Sequence, residues 1–273
     1  MAAVTTAAAE NGLAELEAQY PDARRSELAR FLKVRYGSVA EASAQYAAYL
    51  EWRRVTFPLV NDGTITELIH NRVFYQLPGV ANDGSAIVVF HGPHHKPKRF
   101  TKEETVRSIV AVTEPIFNSR PDDVRFTLIM YQPKGSPIDL KGLRTLALTF
   151  KTYYPGTLVK AIVFPIGPLT PTIWRMAKVF LGKRTTSKVV LMRGGATPSA
   201  LAGYLPADST PSLFLSDDAK RQLGRTSDNE PGLLPSLEKW VTLAKEDELR
   251  PSKPGEDSEV DEMSGAAGEG RAL

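Results

Sequence analysis

The sequence of 273 residues predicts an α/β fold, in which a helical module precedes a mostly parallel sheet flanked by helices. Three short apolar runs have the length and composition of buried strands: Ala86–His91, Arg125–Tyr131 and Val159–Phe164. Segments with helical periodicity separate these runs, and alternation of strands with helices is typical of a parallel sheet. Residues 20–65 instead carry helical patterns. With 42% apolar residues, the chain has enough material for a substantial core.

The helical module begins with a predicted helix over Asp22–Tyr36, whose apolar residues are spaced by three and four. Gly37 is predicted to end this helix. Ser38 and Glu41 form a capping-box pattern that starts a second helix, antiparallel to the first. Residues 1–19 are rich in alanine, threonine and glutamate, and we expect them to be flexible.

The sheet is predicted to begin after this module. Arg72–Leu77 is a short apolar run that predicts a first strand, ahead of the buried strand Ala86–His91. Thr101 and Glu104 then form a second capping pattern and predict a long helix. Pro115 should kink or shorten that helix, because proline removes a backbone donor and clashes with the preceding turn.

Residues Tyr153–Met192 hold the most informative pattern of the chain. A helix end is followed by the strand Val159–Phe164, a Pro/Gly turn, an apolar helix ending in Gly-Lys-Arg, and a second strand over Lys188–Met192. A soluble helix normally keeps one polar face, whereas this helix has apolar side chains on more than one face. It should therefore touch apolar matter on two sides. The apolar residues are Ile173, Trp174, Met176, Val179, Phe180 and Leu181.

This order of elements resembles the lipid-pocket half of CRAL-TRIO domains. The helix pair RFLKVRYGSVAEASAQYAAYLEWRR and the segment FHGPHHKPKRFTKEE add to the resemblance, which covers residues 22–214. It is weak at LPADSTPSLFL, which lacks the paired glycines usual there. The resemblance implies an apolar lipid pocket closed by a gate helix, with Gly167, Pro168, Pro171 and Gly182 as hinge positions. The implied pocket and gate residues are Tyr131, Phe150, Tyr153, Phe164, Trp174, Val179 and Phe180.

The resemblance also suggests where a headgroup would bind. Phosphatidylinositol-transfer members use an arginine, a glutamate and a lysine, and the matching positions here hold Arg35, Gly156 and Lys188. Thr157 replaces the arginine that usually follows the glutamate. We expect Arg35, Lys188 and Thr185 to face a lipid headgroup, although Arg35 and Lys188 are also compatible with ordinary surface or helix-pairing roles.

One motif requires a choice of register. Asp139–Gly142 reads DLKG, which ends the central strand in many CRAL-TRIO domains, but only ten residues would then separate it from Tyr153. That is too short for the connecting helix. We therefore end the strand at Gln132–Gly135 and expect Ser136 to be the N-cap of the following helix. One face of that helix would carry Leu143, Leu146, Ala147 and Phe150.

Other classes of function have little support in the sequence. The absence of cysteine excludes disulfides, zinc–thiolate sites and thiol catalysis. The HGPHH segment lacks the spacing of a helical metal motif, and residues 182–188 depart from the phosphate-loop pattern. No Gly-x-Ser-x-Gly motif occurs. We expect no enzyme activity, no metal and no cofactor other than a bound lipid.

The charge is distributed unevenly. Residues 251–273 carry a net charge of −4 within a total of +3, so the remainder carries +7. A basic body favours anionic membrane surfaces over nucleic acid, because the cations are scattered and no aromatic RNA motif accompanies them. We expect a monomeric cytoplasmic protein that associates peripherally with membranes.

The predicted division of the chain and its predicted functions follow from these patterns. The units are a flexible N-terminus (1–19), a helical module (20–65), a CRAL-TRIO-like domain (66–215), a helical extension (216–250) and a disordered acidic tail (251–273). The leading functional hypothesis is exchange of a phospholipid, phosphatidylinositol or phosphatidylcholine, at membranes. A carrier of a non-phospholipid hydrophobe and a regulatory scaffold with a vestigial pocket are the alternatives.

Overall fold

The computed structural model describes residues 6–59, 63–120, 122–167, 170–193, 201–210, 212, 215 and 217–222. The helices are α1 (Thr6–Gln19), α2 (Arg25–Val34), α3 (Val39–Thr56), α4 (Thr64–His70), α5 (Lys102–Ser119), α6 (Leu140–Tyr153), α7 (Thr170–Thr186) and α8 (Asp217–Gln222). The strands are β1 (Phe74–Val80), β2 (Ala86–His91), β3 (Phe126–Tyr131), β4 (Leu158–Ile166) and β5 (Val189–Arg193). A short 3-10 helix, Gly92–His94, follows β2.

The five strands form one sheet in the order in which they occur along the chain. β1 and β2 are antiparallel, and all later neighbours are parallel. The strand Ala86–His91 has the predicted bounds, and the other predicted strands lie within a few residues of the observed ones. The mixed, mostly parallel sheet flanked by helices is therefore confirmed.

The two faces of the sheet are covered differently. One face packs against the helices in a large core that includes Phe74, Val88 and Phe126. The other face carries Ile87, Val89, Ile129 and Ile162, and packs against Leu201 and Leu205. Alternate residues of each strand thus belong to separate cores, as the pleat of a strand requires.

The helix boundaries follow the predicted capping in two places. Ser38 accepts a hydrogen bond from the Glu41 backbone N–H at 3.5 Å and begins α3. Thr101 and Glu104 form a complete capping box at the start of α5. At the end of α2, the Gly37 N–H donates to the Leu32 carbonyl at 3.0 Å, with Gly37 at φ 85°.

Two predictions about helices were wrong, and one of the two effects expected of a proline is absent. Within residues 1–19, α1 forms and buries Leu13 and Leu16, so tertiary packing orders a segment expected to be flexible. The helix α5 continues past Pro115 to Ser119, so Pro115 does not shorten it. Asp139, not Ser136, is the N-cap of α6, because its carboxylate reaches the Gly142 N–H at 2.7 Å.

A buried polar network fixes the helical module to the rest of the fold. Glu114 of α5 accepts hydrogen bonds from Arg53 of α3 at 3.0 Å and from the Tyr154 hydroxyl at 2.7 Å. Burial, followed by the charge of Glu114, raises the pKa of Tyr154, so its hydroxyl stays protonated and continues to donate. The helix predicted around 237–243 and the acidic tail 251–273 lie outside the described residues.

Candidate functional site

A cavity of about 580 Å³ lies between the helix-covered face of the sheet and helices α6 and α7. Its volume falls within the range of about 300–1,000 Å³ that is usual for small-molecule sites. Its walls are mainly apolar. The sheet contributes Leu128, Met130, Val163 and Leu191; α6 contributes Leu143, Leu146, Ala147 and Phe150; α7 contributes Ile173, Trp174, Ala177 and Leu181.

Helix α7 presents apolar side chains in two directions. Ile173, Trp174 and Ala177 line the cavity. On the outer surface, Met176 is 52% exposed and Val179 is 87% exposed. The sequence predicted apolar contacts on two sides of this helix, and the geometry supplies the cavity on one side and solvent on the other.

The end of α7 contains a break in the helical backbone. Gly182 adopts φ 74° and ψ 161°, and one further turn of helix follows it. A positive φ of this size is unfavourable for residues with a Cβ, so glycine suits this position. Gly182 therefore separates the apolar part of α7 from the basic turn that leads to Lys188, and both parts line the cavity.

The polar end of the cavity is basic. Arg35, Lys188 and Thr185 all line it, together with Lys183 and Arg184. The Lys188 ammonium donates to the Leu158 carbonyl. Burial lowers the pKa of Lys188, and the charges of Arg184 and Lys33 lower it further. Lys188, Arg184 and Lys33 thus place three positive charges within electrostatic range of one another.

Arg35 also has a structural role. Its Nε donates to Gln45 Oε1 at 2.7 Å, and Gln45 Nε2 donates to the carbonyl oxygens of Lys151 at 3.0 Å and Thr152 at 2.7 Å. Arg35 is therefore linked to α3 and to the end of α6. Its helix-pairing role, one of the two that the sequence left open, is present, and Arg35 also lines the cavity.

The backbone at Gly156 does not suit the carboxylate found there in phosphatidylinositol-transfer members. Gly156 has φ 80°, and a Cβ at this position would lie 3.3 Å from Cγ of Arg30 and 3.5 Å from Cγ1 of Val34. Thr157 is fully buried and donates to the Tyr154 carbonyl at 2.9 Å. The loss of the glutamate–arginine pair is thus accompanied by a backbone conformation that disfavours it.

Five of the predicted pocket residues do not line this cavity. Tyr131 and Phe164 pack with the core on the opposite face of the sheet, because their neighbours Met130 and Val163 face the cavity. Tyr153 stacks on Trp52 instead. Val179 lies on the outer surface of α7, and Phe180 is half-buried beside it. Phe150 and Trp174 do line the cavity.

A second polar group lines the cavity near the start of α6. His95 Nε2 and Asp139 Oδ2 are 3.1 Å apart, and Gln132 Nε2 donates to the Pro137 carbonyl at 2.8 Å. Nδ1 of His95 and Oε1 of Gln132 are buried without a hydrogen-bond partner. The sequence favoured a polar loop over a metal site for the HGPHH segment, so the place of His95 in the cavity was missed, and its position in that segment was the available signal.

The other two histidines of the HGPHH segment form a close pair with ring planes tilted by 34°. The rings of His91 and His94 have centroids 3.8 Å apart. Burial, with a smaller contribution from His94, lowers the pKa of His91 to about 4. Among the residues that the structure describes, no group of three or more histidine, cysteine or acidic side chains could hold a metal ion.

The fold and cavity define a class of protein that encloses a hydrophobic small molecule between a mixed sheet and its helices. The family model described as the CRAL/TRIO domain matches residues 70–214. The chain belongs to the CRAL/TRIO domain family. Membership supports a lipid-binding or lipid-transfer role in general terms, and proteins of this family are generally carriers rather than enzymes.

Two known proteins show the extent of the similarity. The CRAL-TRIO domain-containing protein C365.01 of Schizosaccharomyces pombe is 24% identical over an alignment of 200 residues, which covers 67% of this chain and 55% of that protein. The alignment thus spans little more than half of that relative. A crystal structure of Sfh5 has a TM-score of 0.60 and 16% identity, covering 89% of this chain and 99% of the other. That likeness concerns the fold alone.

Within the described ranges, no helix is both long enough and apolar enough to cross a membrane.

Proposed function

We propose that the protein holds one phospholipid, with its acyl chains in the cavity and its headgroup at the basic end, and exchanges it at membranes. The observation that carries this proposal is an apolar cavity of about 580 Å³ that opens onto Arg35, Lys188 and their basic neighbours. Phosphatidylinositol and phosphatidylcholine are the candidates suggested by family resemblance. The protein would act in the cytoplasm as a monomer that adsorbs transiently to membranes.

Transfer of the acyl chains needs little net free energy. Burying one CH₂ group is worth about 0.8 kcal/mol relative to water, but bilayer and cavity are both apolar. Extraction is therefore nearly balanced once the headgroup finds partners. The protein must open only while it lies on the membrane, where the chains need not cross water.

Helix α7 is the proposed gate. Its inner face covers the cavity, and its outer face exposes Met176 and Val179 beside the cations Arg175 and Lys178. Apolar side chains among cations suit adsorption to an anionic bilayer. An outward movement about Gly182 would open the cavity toward the membrane.

A matched pair of substitutions on α7 tests the cavity assignment. Ala177→Trp places an indole in the cavity, whereas Met176→Trp places the same group on the outer surface of the same helix. We expect Ala177→Trp to abolish lipid transfer between vesicles and Met176→Trp to retain it. Equal transfer by two folded variants would contradict the proposal.

The second candidate is a carrier of a non-phospholipid hydrophobe, favoured by Gly156 in place of the family's headgroup carboxylate. Mass spectrometry of lipid that co-purifies with the full chain separates the two candidates. A phospholipid supports the first, and a sterol or prenyl compound supports the second. A scaffold with a vestigial pocket predicts no co-purifying lipid and equal stability with or without added lipid.

A further inference from the structure

The charged residues that line the cavity are mostly cations. They are Arg35, Lys151, Lys183, Arg184 and Lys188, with Asp139 as the one carboxylate among the described lining residues. Asp139 begins α6 and Lys151 lies near its end, so about 18 Å separates them at a rise of about 1.5 Å per residue. Asp139 is also held by His95 and the Gly142 N–H. It therefore cannot neutralise the cations at the far end.

We define the basic rim as Lys33, Arg35, Lys183, Arg184 and Lys188. In the described part of the chain, the only carboxylate paired with a rim residue is Glu41, which lies 3.5 Å from Arg35 and is itself exposed. Lys188 donates to a backbone carbonyl. Among the described residues, the four other rim cations thus have no paired carboxylate, and Arg184 and Lys33 act on Lys188 through their like charge.

Such an arrangement is electrostatically unfavourable until an anion binds. Burial lowers the pKa of Lys188, and Arg184 and Lys33 contribute through their like charge. An anion at the rim would reverse that contribution, because it favours the protonated ammonium. Charge-assisted hydrogen bonds from lysine and arginine are also among the strongest in proteins.

The donors of the rim suit phosphate oxygens better than sugar hydroxyls. A hydroxyl-rich headgroup needs acceptors as well as donors, and Asp139, the one carboxylate among the described lining residues, is already held by His95 and the Gly142 N–H. A phosphomonoester carries a charge of about −1.5 to −2 at neutral pH, with three strong acceptor oxygens. A phosphodiester carries a single negative charge.

We propose that the basic rim selects a phosphomonoester headgroup, so that the preferred ligand is an acyl-chain lipid of the phosphatidic acid type. This inference rests on the proposed function, because the apolar cavity must hold the chains. The shared chemistry is the phosphomonoester, which could also come from free phosphate in solution. The continuity of rim and cavity favours the lipid source.

The test measures transfer of trace labelled phosphatidic acid, phosphatidylcholine and phosphatidylinositol by the full chain. All donor vesicles contain the same fraction of phosphatidylserine, so that surface charge is matched. We expect phosphatidic acid to be transferred about tenfold faster than the other two, which corresponds to one charge-assisted contact. The preference should shrink below about pH 6, where the phosphomonoester loses its second charge.

Variants of the rim identify the groups responsible. Arg184→Gln and Lys33→Gln should each reduce the preference for phosphatidic acid severalfold, and both positions are exposed. Lys134→Gln removes the same charge from an exposed residue that neither lines the cavity nor belongs to the rim, and it should change nothing. A preference that survives both rim substitutions, in proteins of unchanged melting temperature, would overturn the proposal.

The outcomes separate the two levels of inference. Transfer of all three lipids at one rate overturns the headgroup selection and leaves the proposed function intact. Failure to bind or transfer any of them overturns the proposed function itself. If inorganic phosphate binds as tightly as short-chain phosphatidic acid in calorimetry, the lipid source is wrong; we expect far weaker binding of phosphate alone.

Discussion

The indole ring of Trp52 lies almost parallel to the phenol ring of Tyr153, with centroids 4.4 Å apart and planes 9° from parallel. Trp52 belongs to α3, and Tyr153 is the last residue of α6. The stack therefore joins the helical module to the helix that forms one wall of the cavity. Tyr153, predicted as a pocket residue, contacts the module instead.

We predict that Tyr153→Ala lowers the free energy of unfolding by about 2 kcal/mol, because it removes a half-buried aromatic contact. Tyr153→Phe keeps the stack and should leave stability nearly unchanged. Urea denaturation measures both values. Loss of ligand binding in a stable Tyr153→Phe variant would show that the hydroxyl reaches the ligand.

The outer face of α7 gives a second prediction. Val179→Asp should weaken adsorption to anionic vesicles by roughly tenfold, because a carboxylate replaces an apolar side chain expected to enter the interface. Val55→Asp is the control, since Val55 is also highly exposed but lies on α3. Co-sedimentation with vesicles measures adsorption. An equal decrease in both variants would indicate that net charge, rather than the face of α7, controls docking.

Gly156 gives a third prediction, about stability. Gly156→Ala should destabilise the fold by about 1–2 kcal/mol, because a Cβ is unfavourable at positive φ. Gly84 is a matched control, having the same φ of 80° but no heavy atom within 4 Å of its added Cβ. We expect a larger loss at Gly156, where the Cβ meets Arg30 and Val34. Equal losses of stability in the two variants would show that α2 moves away from the added Cβ without a cost in free energy.

The fourth prediction concerns pH. Because burial holds the pKa of Lys188 below its ordinary value of 10.5, its ammonium loses its proton at lower pH than an exposed lysine. Affinity for short-chain phosphatidic acid should therefore decline as the pH rises toward 10.5. The ligand does not titrate in this range, since its second pKa is near 6.

Lys188→Arg should remove most of that alkaline decline, because arginine stays protonated throughout. Without ligand, a rise in pH has the opposite effect: it increases the contribution of Lys188 to folding stability. A lysine whose pKa is depressed in the folded state favours folding more as the pH rises through that depressed value. Calorimetric titrations and melting curves between neutral pH and pH 10 measure the two effects, and an unchanged decline in Lys188→Arg would assign it to other groups.

Much of the fold was predictable from local patterns, and there are physical reasons why the other features were not. The apolar runs gave the strands, and spacings of three and four gave the cavity face of α6 correctly. Strands covered on both faces show no alternation of apolar and polar residues. The side on which Tyr131 and Phe164 lie was therefore not readable.

Other misses depend on tertiary structure. The apolar residues of α1 are alanines apart from Leu13 and Leu16, and the burial of these two leucines depends on contacts with neighbouring helices. Ser136 and Asp139 are both good N-cap residues, so composition did not decide between them. The cavity is lined by Arg35, Gln132 and His95, which are distant along the chain, and no single motif contains them.

The family match begins at residue 70, yet the physical unit begins much earlier. Leu28, Phe31 and Tyr49 belong to the same continuous core as Val88, Ile116 and Tyr154. Val34, Arg35 and Gln45 also form part of the cavity wall. The matched range of the family model and the packed core therefore begin at different residues of this protein. A fragment beginning at residue 70 would expose the inner face of its own core and would lose part of the cavity wall. The helices before residue 70 are therefore as much a part of the binding domain as the sheet.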